Sequence, residues 1–148
     1  MLLTLSGPIS QSDLGYLLHK NPARLHTVEL SFGQVHVFYP RAEPAQAALL
    51  LDVDPVELVR GRKGRKSDDF SLRQYVNDRP YATTSFMSVA LARALGTAMS
   101  GRSKERQELS DREHEWTATL EALPCRGGEA LVRRLFEPLG YTIEAQRH

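Results

Sequence analysis

The sequence predicts an α+β domain: a mixed, largely antiparallel sheet packed against a long buried helix (about 84–100) and smaller helices. Two observations carry this. The expected order β-α-β-β-β-α, long α, β-α-β mixes hairpin and crossover connections, unlike the strict alternation of a doubly wound parallel sheet. Between Ser85 and Met99 runs the longest uninterrupted helical pattern, with Phe86, Met87, Val89, Ala90, Leu91, Ala94, Leu95, Ala98 and Met99 recurring at spacings of three and four. Arg93 is the only charge between Tyr81 and Gly101, so this helix is expected to be buried on several sides.

In chain order, Leu2–Leu5 is a short apolar strand ended by Ser6-Gly7-Pro8. Ser12 or Asp13 caps a helix carrying Leu14, Leu17 and Leu18, closed by Asn21-Pro22 because the residue before proline avoids the α region. Leu25–Tyr39 reads as a hairpin turning at Phe32-Gly33, with Val28, Leu30, Val35 and Val37 on one face and Glu29 opposite His36 on the other. Pro40–Pro44 is a turn or a short helical start. Ala47–Val53, a continuous apolar run of strand length, is the expected central strand.

Asp54-Pro55 has the form of an N-cap and first helical position for a short helix, VELVRG. Arg60–Asp69, RGRKGRKSDD, is a charged loop outside any core. Thr83, Thr84 or Ser85 caps the long helix, and Gly101 takes the left-handed position after its end. Trp116–Leu123 alternates as a strand. After the break at Pro124–Gly128, Glu129–Leu139 is an amphipathic helix with Leu131, Val132, Leu135 and Phe136 inward and Glu129/Arg133 paired one turn apart. Tyr141–Gln146 is expected as a last strand needing a neighbour, which suggests a piece of a longer protein.

Composition bounds the function. A chain of 148 residues, 41% apolar and 25% charged, suits one domain with a real core. No apolar run reaches the roughly 18–20 residues of a membrane helix. MLLTLSGP lacks the basic start of a signal peptide, and the single cysteine, Cys125, suits a reducing, cytoplasmic setting. The near-neutral total hides a segregation. Residues 1–59 hold three basic against six acidic side chains (−3), residues 60–106 eleven against four (+7), and residues 107–148 five against eight (−3). A basic middle between acidic ends orients an anionic or bipolar partner.

Motifs that could carry chemistry are weak. Asp13-Leu14-Gly15 has the acidic-glycine start of an adenosylmethionine loop without its further glycines. Gly61–Ser67 has the residues of a phosphate loop in the wrong spacing, although Arg60, Arg62, Lys63, Arg65 and Lys66 remain a weak phosphate-contacting set. Arg126, Gly127 and Gly128 at a helix start form a weak anion-site candidate, beside a thiol at Cys125. Asp52 and Asp54 are explained by a strand end and a cap. The five histidines show no metal-ligand spacing, so no metal site is expected, and no nucleophile, base and oxyanion hole assemble into a catalytic site.

Several long blocks then stand out in order: DLGYLLHKNP (13–22), ELSFGQVHVFYP (29–40), LLLDVDPVELVRGR (49–62), QYVNDRPYATTSFMSVALARALGTAMSGRSKER (74–106) and PCRGGEALVRRLFEPLGYTIEAQRH (124–148). Together they resemble the amino-terminal domain of the bacterial RNA 3′-terminal ribose 2′-O-methyltransferase of the Hen family. The resemblance implies an RNA-repair accessory that binds and activates the ligase of a bacterial polynucleotide kinase–phosphatase–ligase, acting on cleaved, tRNA-like RNA. It implies that residues 1–148 are a single domain of a longer protein. The adenosylmethionine and the divalent Mn or Mg sites then lie in a carboxy-terminal methyltransferase domain outside this chain. No catalytic or metal-binding residue of the family maps onto these positions, so no cofactor is expected here. The segments Arg60–Asp69 and Lys104–Trp116 are the least family-like.

The expected docking surface is the pair of polar ends of the long helix: Asn77, Asp78, Arg79 and Tyr81 on one side, and Arg102, Lys104 and Arg106 on the other. The alternative is an RNA-binding module that grips phosphates through Arg60, Arg62, Lys63, Arg65, Lys66, Arg102, Lys104 and Arg106. A stand-alone enzyme built on Cys125 is the third class.

Overall fold

The computed structural model of the protein describes residues 1–54 and 82–146, the side chains of residues 82–84 excepted. The expected helix VELVRG, the basic loop Arg60–Asp69 and the elbow Asn77–Tyr81 lie outside the described residues. The fold is α+β, as the sequence predicts. Five strands form one sheet in the order β2-β3-β4-β1-β5, with every pairing antiparallel. The strands are β1 (Leu2–Ser6), β2 (His26–Leu30), β3 (Gly33–Arg41), β4 (Gln46–Val53) and β5 (Thr117–Leu120). The described helices are α1 (Gln11–Leu18), α2 (Ala82–Met99), α3 (Gln107–Ser110) and α4 (Gly128–Phe136), the last followed by a 3₁₀ turn, Glu137–Leu139.

The apolar run predicted as the central strand is β4, third of the five. Its alternation sends Ala47, Leu49 and Leu51 to one face, where Val35 and Val37 of β3 lie opposite Leu51 and Leu49. Phe86, Met87, Ala90 and Ala94 of α2 close over this row, and Phe32 stacks on Phe86 with ring centroids 4.4 Å apart. Burying side chains of this size stabilises the fold by roughly 1.5–3 kcal/mol each. A smaller cluster, Leu14, Leu18, Ala45 and Ala47, seats α1 on the same sheet.

The long helix is not the buried rod that the sequence suggests. Only the stripe Phe86, Met87, Ala90, Ala94 is buried, whereas Val89 is 38% and Met99 69% exposed. The reason is geometric: the helix has one sheet to lie on, and its remaining Ala and Ser residues satisfy helix propensity in solvent. Ala82–Thr84 are already helical, so Thr83, Thr84 and Ser85 sit inside the first turn and do not cap it. Leu95 leaves helical geometry (φ −124°, ψ 15°) beside Gly96, a residue type at which helices kink. Leu95 packs against both core clusters, so the break falls where they meet. Gly101 does adopt the expected left-handed conformation, φ 68°.

Smaller expectations shift in instructive ways. The cap of α1 is Ser10, not Ser12 or Asp13: its Oγ accepts from Asp13 N–H at 3.0 Å. The helix ends earlier than Asn21, at His19, which takes a left-handed φ of 54°. The hairpin turns at Ser31-Phe32, one residue before the expected turn. Moving a two-residue turn by one position shifts the register by two and leaves the faces unchanged. Val28 therefore faces Val35 instead of Val37, Glu29 meets Gln34 and His36 meets Thr27, the last two pairs with side-chain hydrogen bonds of 2.8 and 2.9 Å. Tyr141–Gln146 is not a strand, because no described strand lies alongside to pair with it. Leu131, Val132, Leu135 and Phe136 are not buried inward: α4 has no buried residue, with Leu135 56% and Phe136 42% exposed. The Glu129–Arg133 pair is present at 2.7 Å and is extended by Glu137 at 2.8 Å.

One buried hydroxyl gives the fold an alkaline limit. Tyr39 donates to the Lys20 carbonyl at 3.0 Å, and burial raises its pKa well above the ordinary 10.0. Burial lowers that of the Lys20 ammonium from 10.5. The signs oppose. Where the unfolded lysine is protonated and the folded one is not, stability rises with pH, up to about the unfolded value of 10.5. Above 10.0 the unfolded tyrosine loses its proton while the folded one keeps it, so stability falls with pH. Urea denaturation should show this loss, at less than about 1 kcal/mol per pH unit given the ring's partial exposure. Tyr39→Phe should flatten it.

Candidate functional site

The segment leaving α2 is a tightly hydrogen-bonded frame. Ser103, a buried polar residue, donates its N–H to Gln107 Oε1 at 2.9 Å and accepts from Arg106 N–H at 3.2 Å. This reciprocal arrangement resembles a capping box and satisfies the N–H groups of Ser103 and Arg106 in the turn that leads into α3. Gln107 Nε2 donates to Gly101 O at 3.0 Å and to Asp111 Oδ1 at 2.8 Å. From the other side, His19 Nε2 lies 2.6 Å from the Arg102 carbonyl oxygen. The exit of α2 is therefore tied to the end of α1 and to α3.

The charged residues predicted here divide by role. Arg106 lies across α1 and α3 while staying partly exposed: its guanidinium hydrogen-bonds Glu108, lies 3.5 Å from Asp13 Oδ1, and sits 5.7 Å from the centre of the Tyr16 ring. The hydrogen bond from Arg106 holds the Glu108 carboxyl below the usual carboxylate value, and the same bond raises the guanidinium. Arg102 and Lys104 are exposed, and among the described residues no hydrogen bond or ion pair holds either side chain. Two cations thus project from a backbone that their neighbours hold still. Asn77, Asp78, Arg79 and Tyr81, expected at the opposite end of the long helix, and the phosphate candidates Arg60, Arg62, Lys63, Arg65 and Lys66 lie outside the described residues.

The structure also brings in residues that sequence reasoning missed: Asp13, Tyr16, His19, Ser103 and Gln107. Ser103-x-x-Arg106-Gln107 had a readable local signal, the serine followed by a glutamine one turn on. Asp13 and Tyr16 had none, because they meet Arg106 across 93 residues of chain.

The other candidates have structural uses. Asp13-Leu14-Gly15 is the body of α1, and a Cβ on Gly15 would stand 2.7 Å from the Pro22 ring, so the glycine serves packing. At the start of α4, Arg126 is exposed, but the Gly128 N–H that an anion would use is bonded to the Cys125 carbonyl at 3.0 Å. A Cβ on Gly127 would stand 2.5 Å from that of Leu131. Among the described residues, no three His, Cys, Asp or Glu side chains are grouped to hold a metal ion, and no helix is long and apolar enough to cross a membrane.

The described residues thus form a small antiparallel α+β scaffold that carries exposed charges on a hydrogen-bonded frame. The chain belongs to the family described as the RNA repair, ligase-Pnkp-associating, region of Hen1, whose model matches residues 1–148. The resemblance seen in the sequence blocks therefore holds over the full length. No curated protein matches the chain closely enough to count as a relative.

Proposed function

We propose that this domain docks on the RNA ligase of a bacterial polynucleotide kinase–phosphatase–ligase in the cytoplasm and activates its sealing of cleaved RNA. In this reading it is the non-catalytic amino-terminal part of a protein that 2′-O-methylates the 3′-terminal ribose. Adenosylmethionine and Mn or Mg then belong to another domain. The observation that carries the reading is the family's association with the ligase partner over the whole chain. The frame at the exit of α2 supports the location: Arg102 and Lys104 are the free cations of a segment fixed by His19, Ser103 and Gln107. A contact that must change a partner's state is best presented on a rigid element. The elbow residues Asn77, Asp78, Arg79 and Tyr81 complete the proposed surface.

The test is a sealing assay on nicked RNA with the ligase, with and without this chain. Wild type should accelerate sealing. Arg102→Glu combined with Lys104→Glu should weaken association about tenfold or more, since like charges brought into contact at an interface are strongly disfavoured. Its thermal stability should match wild type, because neither side chain is paired. A double variant that associates and activates as wild type does would contradict this surface. Tight, steeply salt-dependent binding of the chain to RNA alone would instead favour phosphate contacts as its main role.

A further inference from the structure

Strand β5 is the edge of the sheet among the described residues, and all four of its residues are exposed. The Glu121 N–H bonds to the Leu2 carbonyl across the β1 pair. Antiparallel ladders alternate, so Thr119 and Thr117 also direct their backbone groups toward β1. Ala118 and Leu120 therefore present their N–H and C=O groups outward. Natural edges are blunted by shortness, lysine, proline or a bulge. Thr117-Ala118-Thr119-Leu120 is short, four residues, but carries no lysine, proline or bulge.

The surroundings say what such an edge accepts. Trp116, Leu120 and Leu123 are 39%, 42% and 42% exposed, an apolar border along the strand. The charges that flank it are mostly acidic: Glu113 and Glu115 before the strand, Glu121 after it, all exposed and without an ion pair among the described residues. A second copy is a poor occupant. Antiparallel pairing of two β5 strands centred on Ala118 sets Glu115 of each copy opposite Glu121 of the other, which repels. A strand carrying Lys or Arg at its ends turns the same positions into attraction.

We infer that β5 is a strand-addition site for an extended segment of the ligase partner with basic residues flanking an apolar centre. Main-chain hydrogen bonds from Ala118 and Leu120 supply the register, and Glu115 and Glu121 select the flanks. The inference rests on the proposed ligase association and adds a second contact to it, made through β5 and not through Arg102 and Lys104.

The test titrates the ligase partner with wild type, with Ala118→Pro and with Glu115→Lys/Glu121→Lys, checking each fold by circular dichroism. Proline at 118 removes an outward N–H and leaves the β1 ladder intact, as edge strands tolerate. Affinity should fall about tenfold or more for Ala118→Pro, the scale of lost main-chain pairing. The charge-reversed pair should also weaken binding, and the wild-type affinity should drop with salt. If wild type binds and both folded variants bind equally well, strand addition is wrong while the docking reading stands. Should Ala118→Pro fail to fold, the charge-reversed pair alone decides. Should wild type not bind at all, both fall together. A concentration-dependent dimer of wild type that Ala118→Pro abolishes would assign the edge to a second copy and overturn the inference.

Discussion

Gly33→Ala should destabilise the domain by about 3 kcal/mol, combining a forced steric overlap with an unfavourable backbone conformation. Gly33 opens β3 at φ 144°, where side chains are rarely tolerated. A Cβ built there would stand 2.1 Å from the Asp52 carbonyl oxygen and 2.9 Å from Val53 Cα. Both neighbours are backbone atoms of the central strand, so neither can move aside as a side chain would. The same residue pairs with Leu30 and Val53, tying the turn of the hairpin to the end of β4. Gly101→Ala is the control: it shares a positive φ, 68°, but nothing lies within 4 Å of its Cβ. It should cost about 1 kcal/mol, the backbone part alone. Urea denaturation of both variants separates the two contributions. Equal losses would show that the close approach at Gly33 is not the constraint.

Leu14→Ala is the second large effect, about 3 kcal/mol from lost burial and the cavity left behind. Leu14 is fully buried in the cluster that seats α1. It adjoins Asp13, whose carboxylate faces Arg106, and lies two residues before Tyr16, beneath the same guanidinium. Loosening α1 should therefore loosen α3, although no α3 residue is altered. Amide hydrogen exchange should show faster exchange at Leu109 and Ser110, whose N–H groups bond to the Arg106 carbonyl. Arg106→Ala should reproduce that local effect with little loss of global stability, since exposed ion pairs contribute about 0–1 kcal/mol. Unchanged protection at Leu109 in Leu14→Ala would show that α3 holds itself.

What the sequence made legible follows from how local each signal is. The apolar run 47–53 identified the central strand by its continuous apolar character and strand length, although only one face is fully covered: Leu50 and Asp52 on the other are exposed. The faces of the hairpin were readable from Val28, Leu30, Val35 and Val37, whereas its register was not, because moving the turn by one residue preserves every face. The α2 helix was located correctly but its burial was overread. Ala and Ser satisfy a helical pattern equally well toward a core or toward water, and only the single covered sheet face decides between them. On α4 the opposite limit applied: its stripe is correctly amphipathic, yet among the described residues nothing covers it. The candidate site was half legible. Arg102, Lys104 and Arg106 stood out as a basic segment at a helix end, but only the fold separates the paired Arg106 from Arg102 and Lys104. That division depends on Asp13 and Tyr16, a helix distant in sequence.

The central claim is that this domain works by contact with a ligase. Isothermal titration of the purified chain into the ligase of the kinase–phosphatase–ligase, without RNA, tests it most directly. The account predicts saturable one-site binding with a dissociation constant at or below roughly micromolar, the range of a specific domain–domain contact. Absence of any heat or complex at concentrations well above micromolar, with the chain folded by circular dichroism, would contradict it.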